Sequence, residues 1–220
     1  MIKKLSKKAS LLSALVLTMA LFAGCSNEKE NQKVADIEVK TIATKELQDK
    51  LSDDSWVVVD TRINDAFNGW KLDEVERGGH IKGAVDFSAN WLTVDSKDKE
   101  KTLDKALETK GIEKDKNIVL YDANGKDAKE VANYLSEKGY KNLYTYNVAD
   151  WAKDESLPME SYENYEMIVP ATIVNDILDG KKPETFENSK NIKIVEASWG
   201  EESEAYSKGH VPTSVHINTD

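Results

Sequence analysis

The sequence predicts an α/β fold: a parallel sheet flanked by helices, complete once and begun a second time. Three observations carry that expectation. Trp56-Val57-Val58-Val59-Asp60 and Asn117-Ile118-Val119-Leu120-Tyr121 are continuous apolar runs rich in β-branched residues, as in strands buried on both faces. Lys126–Lys138 places Ala128, Val131, Ala132 and Leu135 on one helical face and passes Gly139 into a strand at Asn142–Tyr146. Strand, helix and strand within ~30 residues form a βαβ unit, which requires parallel strands. The third observation is a recurrence. Val58-Val59-Asp60 followed by Gly79-His80-Ile81 returns as Ile194-Val195-Glu196 followed by Gly209-His210-Val211.

Taken in order, the chain begins with a segment unlike the rest. Lys3, Lys4, Lys7 and Lys8 give a basic start, and Leu11–Phe22 is apolar except for Ser13 and Thr18. Ala23-Gly24-Cys25 closes the segment with small residues. The apolar run is shorter than the ~20 residues that cross a bilayer, so residues 1–24 read as a signal peptide. Leu21-Phe22-Ala23-Gly24-Cys25 resembles a bacterial lipobox, with Phe22 where Leu is usual. The resemblance implies an acylated Cys25, membrane lipid as its partner, and a protein exported and anchored to the outer face of the cell membrane. The competing reading is an unlipidated secretory signal followed by a free thiol.

Residues 25–37 are polar and read as a tether. Residues 38–158 hold the βαβ pattern, with a further amphipathic helix around Leu103, Ala106 and Leu107, and Pro158 ends the unit. Pro170–Leu178 reads as a short helix stopped before Gly180, Lys181–Lys190 as a polar connection, and Asn191–Ala197 as a strand. Residues 166–220 thus carry the N-terminal part of a second unit, too little of one to bury its own core.

Composition narrows the function. There are 30 Lys+Arg against 40 Asp+Glu in 220 residues, a formal charge of -10. Losing residues 1–24, with four lysines and no acid, would take the charge to -14. So acidic a body is unsuited to nucleic acid and repelled by anionic headgroups, leaving the lipid to hold it at a membrane. One cysteine excludes an intramolecular disulfide framework and a thiolate zinc site.

The spaced motifs resemble the rhodanese (thiosulfate sulfurtransferase) family in its tandem form. Asp60-Thr61-Arg62 and Gly79-His80-Ile81-Lys82-Gly83-Ala84 match its first motif, with Lys82 in place of proline. Asn117–Tyr144 matches its strand, active loop, helix and strand, and Trp151 its closing tryptophan, although Tyr146-Asn147 replaces Gly-Gly. Ser198-Trp199-Gly200 with Tyr206–Pro212 matches the start of a second domain, where Thr213-Ser214 replaces Gly-Ala. The resemblance implies a six-residue loop opening with a persulfide-forming cysteine and closing with arginine. Here that loop is Asp122-Ala123-Asn124-Gly125-Lys126-Asp127, so aspartate stands at both ends and no catalytic residue remains.

Two readings of Asp122 stand open: a fixed anion filling the loop's nest, or a helix cap placed early. Asp60 and Arg62 read as a buried ion pair bracing a strand end rather than as ligand-orienting groups, and His80 as a local hydrogen-bonding residue. His210 and His216 lack a third ligand at recognisable spacing, so neither metal nor cofactor is expected. The expected function is a lipid-anchored protein with a catalytically inactive rhodanese-like domain acting in structure or binding. Its partner would be a small anionic sulfur compound or a protein. The alternatives are a fragment of a tandem sulfurtransferase whose cysteine lies past Asp220, and a solute-binding lipoprotein.

Overall fold

Val58, Val119 and Tyr121 face one side of the central strands, and Val59, Ile118 and Leu120 face the other; all six are buried. That alternation is the period of two that a strand imposes on its side chains. The computed structural model describes residues 38–199 and 204–219. The signal segment 1–24, Cys25 and the tether 25–37 lie outside the described residues, as do Gly200 and Asp220.

The elements follow one another as β1 (Lys40–Thr41), α1 (Thr44–Lys50), β2 (Trp56–Asp60), α2 (Asn64–Asn68), β3 (His80–Ile81) and β4 (Val85–Asp86). Then come α3 (Lys99–Thr109), β5 (Asn117–Asp122), α4 (Asp127–Glu137), β6 (Leu143–Asn147), α5 (Val148–Ala152) and β7 (Met159–Glu160). The last part holds α6 (Ala171–Leu178), β8 (Val195–Ser198), α7 (Glu204–Lys208) and β9 (Val215–Asn218). Five strands form one sheet in the order β1-β6-β5-β2-β4, with every pair parallel. Leu103 and Leu107 of α3, with Val131 and Leu135 of α4, fill the core on one face. Leu47 of α1, with Val148 and Trp151 of α5, fills the core on the other. Each such Leu or Val side chain stabilises the fold by ~1.5–3 kcal/mol through burial, which explains why the two faces need helices.

Several boundaries shift by a residue or more from the sequence expectation, and two of them share one reason. β5 runs on to Asp122 because Asp122 still pairs with Asn147 of β6. β8 starts at Val195 rather than Asn191 because its partner β9 begins opposite it at Val215. A strand exists only where a neighbouring strand supplies hydrogen bonds.

The β8–β9 unit repeats the β2–β4 unit in register. Val59 and Asp60 pair with Val85 and Asp86; Val195 and Glu196 pair with Val215 and His216. The turn before the second strand recurs as well. Ala84 N–H donates to Ile81 O at 2.9 Å, and Ser214 N–H to Val211 O at 3.0 Å. In the first turn the left-handed position is Gly83 (φ 80°), whereas in the second it is the β-branched Thr213 (φ 66°). A β-branched residue there is strained by ~1–2 kcal/mol. Thr213→Gly should therefore raise the denaturation midpoint of the β8–β9 region, followed by amide exchange of residues 211–218; unchanged protection would contradict strain at this turn. The packing of the two units is where they part. Val59 and Phe87 are wholly buried, whereas Val215 and Ile217 remain about half exposed.

Candidate active-site loop

In parallel α/β sheets the groups at the carboxyl ends of central strands face whatever binds, and Asp122 ends the central strand β5. It is 1 % exposed. Lys126, at the position before α4, supplies no capping side chain. Asp122 does that work from across the loop: Gly125 N–H donates to its Oδ1 at 2.8 Å and Ala128 N–H to its Oδ2 at 3.0 Å. The two readings of Asp122 are thus one geometry, in which a carboxylate fills the loop's N–H nest and caps α4 together. Asn124 and Lys126 complete the loop, Lys126 N–H donating to Asn124 Oδ1 at 2.9 Å. Ala123 is half-buried, while Asn124, Gly125 and Lys126 are exposed. Burial, and then the neighbouring Asp122 charge, push the Asp127 carboxyl above the ordinary carboxylate range, with Lys126 opposing them.

Asp60 and Arg62 pair at the end of β2, and the carbonyl of Gly79 links them to the residue before His80. Arg62 Nε and Nη2 donate to Asp60 Oδ1 and Oδ2 at 3.0 and 2.6 Å, and Nη2 also donates to Gly79 O at 2.7 Å. Burial works against the Arg62 charge, but Asp60 outweighs it and lifts the guanidinium above its ordinary value. Both side chains are inaccessible, so the pair ties the end of β2 to the segment that enters β3. His80 Nδ1 donates to Phe67 O at 2.7 Å and its ring stacks on Phe67, with centroids 3.8 Å apart. Tyr121 connects this cluster to β5: its hydroxyl accepts Ile81 N–H at 3.1 Å, and Arg62 lies over its ring. Burial, then the charge of Asp60, push the Tyr121 phenol well above its usual value.

Beside the Asp122 loop lies a cleft of about 510 Å³, lined by Thr41, Asn124, Lys129, Asn133, Thr145 and Asn147 among others. Sequence reasoning did not single out Lys129 or Asn133. Asn147 was legible in part, since it replaces a glycine at the carboxyl end of a strand. Its Oδ1 accepts Ala149 N–H at 2.9 Å and so starts α5. Arg77 was missed too; its guanidinium donates to the carbonyls of Trp151, Ala152, Asp154 and Leu157, all at 2.9 Å, and caps the end of α5. His210 and His216 belong to the β8–β9 unit, where His216 Nε2 lies 2.8 Å from Ser198 Oγ. Among the described residues no three His, Cys, Asp or Glu side chains converge as a metal site, and no helix is long and apolar enough to cross a membrane.

A family model described as a rhodanese-like domain matches residues 43–152. Comparison with curated proteins returned no match. Among solved structures the chain is similar to wild-type EanB, with 30% identity and a TM-score of 0.71 over 83% of this chain. It is similar to the same extent to the anaerobic ergothioneine biosynthesis enzyme from Chlorobium limicola, solved with its natural substrate trimethyl histidine. It is also similar, at 30% identity and a TM-score of 0.72, to an EanB variant solved with ergothioneine covalently linked to a persulfide cysteine. The match covers 41% of each of those chains, so this chain spans about two-fifths of their length.

Proposed function

This chain belongs to the rhodanese-like family, and we propose that its domain is a catalytically inactive member acting in structure or binding, held at a membrane by an acylated Cys25. The observation that carries the inactivity is the Asp122 carboxylate accepting the N–H groups of Gly125 and Ala128. In a sulfur-transferring loop such donors would stabilise the negative charge of a persulfide. A carboxylate cannot form a persulfide, and here it already occupies the donors. The nest is filled by the chain's own anion. The unmodified protein should therefore give no thiocyanate from thiosulfate and cyanide above a protein-free control. Turnover above that control would overturn the reading.

Cys25 is the sole thiol in the sequence, and multiple acyl chains at ~0.8 kcal/mol per buried methylene would suffice for firm anchoring. Radioactive palmitate should label the wild-type protein, while Cys25→Ala should lose the label and appear in the soluble fraction. Undiminished membrane association of that variant would rule out the lipid anchor.

A second reading is favoured by the β8–β9 unit. Its register repeats that of β2–β4, and its His210 repeats His80: Nδ1 donates to Tyr206 O at 2.9 Å while the rings stack at 4.0 Å. These features support a tandem arrangement, and with it a sulfurtransferase whose cysteine would lie past Asp220. Reading the gene past codon 220 for a Cys-x-x-Gly-x-Arg loop separates the two readings.

A further inference from the structure

Asparagine followed by glycine is the pairing most open to imide formation, because glycine's unshielded amide nitrogen can reach the asparagine side-chain carbonyl. The sequence contains two such pairs, Asn68-Gly69 and Asn124-Gly125, and the fold treats them in opposite ways. Gly69 is buried, its N–H donates to the backbone carbonyl of Asp65 at 3.3 Å, and the Tyr165 ring lies where a Cβ would stand. Asn68 is further held by its own carbonyl, which accepts Tyr162 N–H at 2.8 Å. A backbone carbonyl is no base, and the Tyr165 ring packs directly on Gly69.

Asn124 and Gly125 are exposed, and nothing lies within 4 Å of the position a Gly125 Cβ would take. The Gly125 N–H, which must lose its proton to act as nucleophile, donates to the Asp122 carboxylate. The side-chain carbonyl that would be attacked accepts Lys126 N–H at its Oδ1. Base, nucleophile, electrophile and a donor for the developing oxyanion therefore come from five consecutive residues.

We propose that Asn124 is a self-modification site, at which Asp122 promotes closure of the Asn124 side chain onto the Gly125 nitrogen. The bond from Gly125 N to Asn124 Cγ forms as Asp122 takes the amide proton. The tetrahedral oxyanion rests on Lys126 N–H. Asp122 then returns the proton to the departing amide nitrogen, the Cγ–Nδ2 bond breaks, and ammonia leaves. The five-membered imide is opened by solvent water to aspartate or isoaspartate, with no oxidation or reduction at any step. While the imide lasts, Gly125 has no N–H, so Asp122 loses one of its two donors and keeps only Ala128. The modification thus loosens the filled nest that the proposed inactivity rests on, although the chemistry itself does not depend on that reading.

The test is to age the purified full-length protein at neutral pH and follow both asparagines in one digest by mass spectrometry. Isoaspartyl methyltransferase labelling reports the rearranged product. Asn124 should convert while Asn68 stays amidated. Asp122→Asn, which keeps the shape of the acceptor and removes the base, should slow Asn124 conversion by at least ~tenfold. Gly125→Ala, which crowds the nucleophile, should slow it as well, with circular dichroism checking that each variant is folded. Conversion of Asn68 as fast as Asn124, or an unchanged rate in folded Asp122→Asn, would overturn the proposal. Neither result bears on sulfur transfer, so the failure of this inference and that of the inactive-domain reading are separable.

Discussion

Replacing Asp60 by alanine should lower the unfolding free energy by ~3–5 kcal/mol, the cost of breaking a buried ion pair from one side. The substitution removes acceptors for Arg62 Nε, Nη2 and backbone N–H, leaving the guanidinium only Gly79 O and the face of the Tyr121 ring. Arg62 Nη1 already lacks a partner among the described protein groups, so the stranded cation has little to fall back on. Urea denaturation of wild type and variant gives the difference directly. Replacing both members with apolar residues, Asp60→Leu with Arg62→Met, should cost much less, since no charge is then left in the interior. A loss below ~1 kcal/mol in the single variant would mean that water reaches Arg62, and that the pair is not the brace its burial implies.

The largest change in activity is expected from Asp122→Cys combined with Asp127→Arg. Cysteine supplies the nucleophile and frees the N–H groups of Gly125 and Ala128 for a persulfide, while arginine places a cation where the donor's charge must be stabilised. Thiocyanate formation should rise clearly above the protein-free control in the double variant. Asp122→Cys alone should be lower by roughly 10²-fold, because Asp127 would still oppose the incoming anion. Replacing Asp127 also bears on stability. Its folded pKa lies above its ordinary value, so its effect on folding is favourable below the unfolded carboxylate value and is lost as pH rises through the folded one. At neutral pH the native aspartate is therefore a mild liability, and Asp127→Arg removes it. Equal activity in the single and double variants would show that position 127 does not face the donor.

The sequence by itself was enough for the local and periodic features. The β2 and β5 runs, the apolar face of α4 and the Gly139 stop follow from strand and helix periods that do not depend on what lies nearby. The aspartates at positions 122 and 127 were equally legible, because the loop is one contiguous stretch and its departures from the sulfurtransferase pattern can be read off directly. What Asp122 does there was not legible, since filling a nest and capping a helix are indistinguishable until the chain bends back on itself. The same applies to Arg77, whose four carbonyl partners lie some 75 residues away in sequence, and to the two-residue strands β1, β3, β4 and β7, which have no period to detect. Nor could the sequence tell the two Asn-Gly pairs apart. One is packed against a tyrosine from a distant segment and the other placed against a carboxylate. Contacts between residues remote in sequence are made only when the chain folds, and only the tertiary structure decides them.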